Sequence, residues 1–101
     1  MVSAADMLLF SAVVREGSFT RAARQLGITK QSASERIARL EEGLGVRLLE
    51  RTTRRLRLTE IGSRYHERCS SIALQIEEAN REAQQQQAEP SGLLRVSAPV
   101  L

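Results

Sequence analysis

Apolar residues recur with a helical period in four stretches of the chain and with a period of two in two more. In Ser3 to Arg15, Leu9, Phe10, Val13 and Val14 form i, i+4 pairs beside Leu8, a stripe that predicts an amphipathic helix. Ser3 reads as its N-cap, with Asp6 in the place of the capping-box glutamate, and Gly17 as its stop. The stripe is wide enough for part of it to face a second subunit. A second helix starts from the N-cap candidate Ser18 and carries Phe19, Ala22, Ala23 and Leu26. The alanines matter because two helices approach closely only where side chains are small. Gly27 allows a left-handed residue at the helix end, Ile28 plugs the corner, and Thr29 caps a third helix. From Thr29 to Leu44, the residues Ala33, Ile37, Leu40 and Leu44 fall within one narrow arc at about 100° per residue. Helix, glycine turn and helix over 18–44 predict a helix-turn-helix.

The other side of the third helix presents Gln31, Ser32, Ser34, Glu35, Ala38 and Arg39. Short polar side chains near its N-terminal end suit a recognition helix, since long aliphatics would hold it off a groove floor. The helix N-terminus also favours phosphate oxygens. An ordinary solvated face accounts for the same residues equally well.

Gly45 ends this helix, and the pattern changes. Val46, Leu48 and Leu49 face inward, and Leu56 and Leu58 alternate with Arg55 and Arg57, which predicts a two-stranded hairpin over Val46 to Thr59 with Thr52, Thr53 and Arg54 near its tip. Arg47, Arg51, Arg54, Arg55 and Arg57 against Glu50 make it strongly basic. After a helix-turn-helix, such a hairpin reads as a wing that lies along a phosphate backbone or enters a minor groove. Solvated edge protection is the plainer alternative.

Thr59 and Glu60 open a fourth, long helix. Ile61, Tyr65, Cys69, Ile72, Ile76, Ala79 and Ala83 step by three or four residues, a heptad-like seam running to about Gln87. The span is roughly 40 Å at 1.5 Å per residue. A second copy is the simplest cover for so long a stripe, which predicts a homodimer. Packing against the first helix of the same chain is the alternative, and both can hold at once. Cys69 fits a small apolar filler better than a redox thiol. Gln84 to Gln87, Pro90 and Gly92 mark a helix end and linker, and Leu94, Val96 and Ala98 alternate as the start of a strand.

Composition narrows the class. The 101 residues suit one domain, and 3% aromatics with no Trp favour packed helices over a sheet sandwich. The formal net charge is +3, but residues 1–58 hold 11 basic and 6 acidic side chains, while 59–89 hold 3 and 6. The front half therefore carries an electrostatic footprint for a polyanion. One Cys and one His exclude a disulfide framework and a Cys/His metal site. No Gly-rich phosphate loop or paired acids point to an enzyme or a cofactor, and no catalytic residue is expected. With no signal peptide or membrane-length apolar run, the expected location is the cytoplasm, at the nucleoid, with no membrane partner.

The stretch DMLLFSAVVREGSFTRAARQLGITKQSASERIARLEEGLGVRLLERTTRRLRLTEIG, Asp6 to Gly62, resembles the winged helix-turn-helix domain of LysR-type transcriptional regulators, and GLLRVSAP resembles the start of their effector domain. The resemblance implies a mainly α fold, with three helices and a two-stranded β wing over 1–58, a linker and dimerisation helix over 59–89, and over 90–101 a hinge and the first strand of an absent effector-binding domain. It implies a two-fold homodimer on the linker helices, often a tetramer in the full-length protein. It further implies double-stranded promoter DNA with an interrupted palindrome as partner, and a small-molecule effector acting only through the absent domain.

The positions that match the family place Ser18 and Thr20 near phosphates, Thr29, Lys30, Gln31, Ser32 and Ser34 on the recognition helix, Arg36 at a frequent basic position, and Thr53, Arg54 and Arg55 at the wing tip. With Glu35, Arg39 and Arg51 from the patterns above, these are the expected DNA contacts. From Lys30 to Glu35 only Ser34 keeps the family's common residue, and Glu35 puts an acid where a base is usual. It would accept from a cytosine amine or pair with Arg39 one turn on. The short C-terminal portion is expected to reflect a cut from a longer regulator, with natural truncation as the alternative. A chain that only dimerises and titrates a full-length partner is the competing function.

Overall fold

The computed structural model describes residues 2–50 and 54–88. Four helices follow in order: α1 (Ala4–Glu16), α2 (Phe19–Leu26), α3 (Lys30–Leu44) and α4 (Glu60–Ala88). The first three starts are set by local chemistry. Ser3 Oγ accepts from Ala5 N–H, Ser18 Oγ from Arg21 N–H and Thr29 Oγ1 from Ser32 N–H, each about one turn into its helix. At the turn between α2 and α3, Gly27 sits at φ 73°. Its left-handed backbone lets Ile28 N–H reach back to the Ala23 carbonyl at 2.9 Å and starts α3 two residues later.

The expected capping box at α1 is half made. Ser3 caps, but the Asp6 carboxylate turns across to α3, where Arg36 Nε donates to it at 2.7 Å. A guanidinium offered at that height outcompetes a backbone N–H for the acid.

The core lies where α1, α2 and α3 meet. Leu9, Phe10 and Val13 from α1, Ala22 and Ala23 from α2, and Ala33, Ile37 and Leu40 from α3 are buried, joined by Leu48 and Leu49 from the following segment and Cys69 from α4. The large side chains each contribute about 1.5–3 kcal/mol by leaving water. Ala22, Ala23 and Ala33 are buried where α2 and α3 pack, as their size predicts.

Beyond Gly45 the chain is tied to α3 by one acid. Glu41, buried on the inner side of α3, accepts from Leu48 N–H at 2.7 Å and Leu49 N–H at 3.1 Å through one carboxylate oxygen. The segment then meets its own return. Leu49 and Leu58 form an antiparallel bridge, with Glu50 N–H donating to the Arg57 carbonyl and Thr59 N–H to that of Leu48. Among the described residues this pairing is a single bridge and not a strand pair. The expected tip residues Thr52 and Thr53, with Arg51, lie outside the described residues, as do the hinge and strand expected over 90–101.

Thr59 opens α4. Its hydroxyl donates to the Arg47 carbonyl at 2.6 Å and accepts from Gly62 N–H at 2.9 Å. Gly62 then passes so close to the Leu48 carbonyl that a Cβ there would collide with backbone.

Candidate nucleic-acid interface

The outward face of α3 follows from what the helix buries. Ala33, Ile37 and Leu40 point inward. At about 100° per residue, Gln31, Glu35 and Ala38 lie nearly opposite them, and all three are exposed. Ser34 flanks this strip and is exposed, while Ser32, whose N–H is held by Thr29, is half-buried. Arg39 is exposed on the other flank, near Asp6 and Glu42. The pair expected between Glu35 and Arg39 is absent among the described residues. Instead Gln31 Nε2 donates to Glu35 Oε2 at 3.3 Å, one turn toward the helix start.

Residues read from separate parts of the sequence converge beside this face. Ser18 and Thr20 at the start of α2, Lys30 at the start of α3, and Arg54 and Arg55 before α4 line one open cleft of about 370 Å³ with Glu50. Three cations and one acid around a helix N-terminus make it a place for an anion. Thr20, Thr29, Lys30, Arg54 and Arg55 are exposed and Ser18 is half-buried. Arg36 stands apart from this group, paired with Asp6 of α1 and mostly covered.

The seam on α4 divides. Cys69 is buried and Tyr65 half-buried in the chain's own core, where the Tyr65 and Phe10 rings lie 5.7 Å apart. On the same stripe Ile61 remains 51% exposed and Ile72 and Ile76 42% each, with Ala79 and Ala83 exposed beyond them. The periodicity does not register Leu74, 58% exposed on the opposite side of α4. Helix α1 attaches about 80° round from the seam's centre, through Phe10 against Tyr65 and His66 and through the Ser11 and Ser70 hydroxyls at 3.4 Å. This rotation explains the division, since α1 takes one edge of the stripe and leaves the rest. Burial pushes the Tyr65 hydroxyl up to about 12, with Cys69 adding to the shift. It raises the Cys69 thiol too. Burial and the nearby Arg15 hold His66 below the ordinary imidazole value, against a smaller pull from Glu67.

Sequence patterns did not foresee what three acids do at this surface: Glu41 anchors the basic segment, Asp6, read as a helix cap, engages Arg36, and Glu50, read only as the one acid of the basic hairpin, lines the cleft. An acid on the buried side of a helix was the available signal for Glu41. Among the described residues no cluster of His, Cys, Asp and Glu is arranged to hold a metal, and no helix is long and apolar enough to cross a membrane.

This arrangement defines a helix-turn-helix protein with a polar α3 face and a basic cleft beside it. Residues 4–63 match the family described as bacterial regulatory helix-turn-helix protein, lysR family, and the chain belongs to that family. It is 49% identical over 94 residues to an HTH-type transcriptional regulator of Xanthomonas campestris pv. campestris, covering 93% of this chain and 27% of that protein. It is 48% identical over 92 residues to an HTH-type transcriptional repressor of Pseudomonas aeruginosa, covering 91% and 29%. The chain thus spans less than a third of the length of these relatives. Among solved structures, the DNA-binding domain of BenM in complex with catB site 1 DNA superposes with a TM-score of 0.78 at 29% identity, covering 88% of this chain and 99% of that one.

Proposed function

We propose that this chain is the sequence-specific DNA-binding part of a LysR-type transcription regulator and works as a homodimer. In this reading α3 enters the major groove, where Gln31, Ser34 and Glu35 meet base edges. Ser18, Thr20, Lys30, Arg54 and Arg55 hold phosphates, and the basic segment with Arg51 and Thr53 acts as the wing. Residues 59–89 set the distance to the second copy, whose α3 reaches a groove roughly 34 Å away or a multiple of it. The observation that carries this reading is the convergence of Ser18, Thr20, Lys30, Arg54 and Arg55 on one cleft beside the exposed polar strip of α3. The DNA complex of the BenM domain, similar over 88% of this chain, supports it.

The test is binding to duplex DNA at several salt concentrations, with half-sites chosen by selection from a random library. Each phosphate neutralised adds about 0.9 to the log–log salt slope. Arg54→Ala is expected to weaken binding to all sequences alike and to lower that slope by about one. A sequence-selective loss would remove Arg54 from the backbone role. The exposed stripe of α4 favours one competing reading, a chain that dimerises with a longer partner without reading DNA itself. A stable dimer that shifts neither random duplex nor promoter DNA would establish that reading.

A further inference from the structure

We propose that Glu35 is a positioning residue for base reading: it fixes the Gln31 amide in one orientation, so that the two side chains read DNA as a unit. The inference rests on the DNA-binding reading above and names how α3 would choose its bases. Gln31 and Glu35 are four residues apart, about 40° round the helix from each other, at the centre of the exposed strip. Gln31 Nε2 donates to Glu35 Oε2 at 3.3 Å. Ala38, next on the strip, is too short to hold the helix away from a groove floor. The cations that would compete for Glu35 are engaged or turned elsewhere. Arg36 is paired with Asp6, Lys30 lines the basic cleft, and Arg39 makes no ion pair with Glu35 among the described residues.

The consequence follows from the donors that remain. An unrestrained glutamine amide has two N–H donors and can satisfy the two major-groove acceptors of guanine, N7 and O6. With one N–H committed to Glu35, Gln31 presents one donor and one acceptor. That is the complement of adenine, which offers N7 and the N6 amine. The carboxylate of Glu35 accepts and never donates when ionised. It favours a cytosine N4 amine beneath it and repels guanine. The pair therefore selects adenine under Gln31 and disfavours guanine under Glu35.

The experiment is selection from a random duplex library, followed by competition binding, with the wild-type chain, Glu35→Ala, Glu35→Gln, Gln31→Ala and the double alanine variant. Glu35→Ala is expected to cut the adenine-over-guanine preference at the Gln31 position by roughly tenfold, while non-specific affinity holds or rises because an acid has been removed. Glu35→Gln keeps a carbonyl for the Gln31 amide and is expected to restore that preference. Gln31→Ala and the double variant are expected to match at this position. An unchanged base profile in Glu35→Ala, with salt-dependent binding intact, overturns the positioning role and leaves the DNA-binding reading standing. Equal loss in Glu35→Ala and Glu35→Gln overturns it as well. No shift of any duplex by the wild-type chain overturns both.

Discussion

Glu41 shows how one side chain joins α3 to the basic segment behind it. Its largely buried carboxylate accepts from two successive backbone N–H groups, Leu48 and Leu49. Truncation to alanine leaves those donors without this acceptor, which costs about 2–4 kcal/mol by the penalty for buried unpaired amides. Glu41→Gln keeps an acceptor oxygen and is expected to lose less than half as much. Urea unfolding midpoints at one protein concentration check both, and equal losses would show that charge, not acceptance, is what matters. Gly62 makes the same junction from the other side. Gly62→Ala drives a Cβ into the Leu48 carbonyl and is expected to cost about 2–4 kcal/mol, read in the same titration. Neither residue was legible as a joint. The partner atoms of both belong to Leu48 and Leu49, and the turn at Gly45 and the opening of α4 bring these within reach only after folding. The caps Ser3, Ser18 and Thr29 were legible because a cap and its N–H lie within three residues of each other. Asp6 and Glu35 were half legible. Their sequence neighbours offered partners, but a closer donor, Arg36 across the core or Gln31 one turn earlier, took each carboxylate instead.

Among the elements, the helices α1, α2 and α3 follow directly from periodicity and their glycine stops, because every signal is local. The β-period of the basic segment is visible as the single bridge from Leu49 to Leu58 among the described residues. The α4 stripe was legible as a stripe, but not its sharing between the chain's own core and solvent, because the rotation of α4 against α1 is set by Phe10, Ser11 and their contacts. That α1–α4 contact is expected to carry a pH dependence. His66 lies against Phe10 and within 3.3 Å of the Ser70 hydroxyl, and its folded value is held below the ordinary one by burial and Arg15. The unfolded chain therefore takes up the proton first, at about pH 6.5. The stabilisation from neutral His66 is full above that pH and declines as pH falls through the lower folded value. Comparing urea midpoints at about pH 7.5 and about pH 5, the wild type is expected to lose more stability than His66→Gln. Parallel losses in the two proteins would assign the pH dependence to other groups.

At the scale of the whole molecule, the proposed dimer would join the basic cleft to the exposed apolar surface of α4. In the proposed complex the basic cleft, with Lys30, Arg54 and Arg55, would meet only a handful of phosphates, too few alone for tight binding at physiological salt. Linking two such units raises affinity by about 10²–10⁴ through effective concentration, and the outer half of α4, with Ile72 and Ile76 exposed, is the surface available for the link. Placing acids there, Ile72→Glu with Ile76→Glu, puts charge on a stripe that the folded chain itself leaves uncovered. The variant is therefore expected to keep the α1–α3 unit folded while sedimenting as a monomer. Its affinity for a two-half-site duplex should fall at least about a hundredfold, and its salt slope should drop to about half the wild-type value. Binding to an isolated half-site should hardly change. A variant that remains dimeric with an unaltered slope would move the interface off this stripe, with the exposed side around Leu74 next to be tested. A variant that is monomeric and yet binds the full site as tightly as wild type would show that each reading unit binds on its own, and that the dimer serves spacing alone.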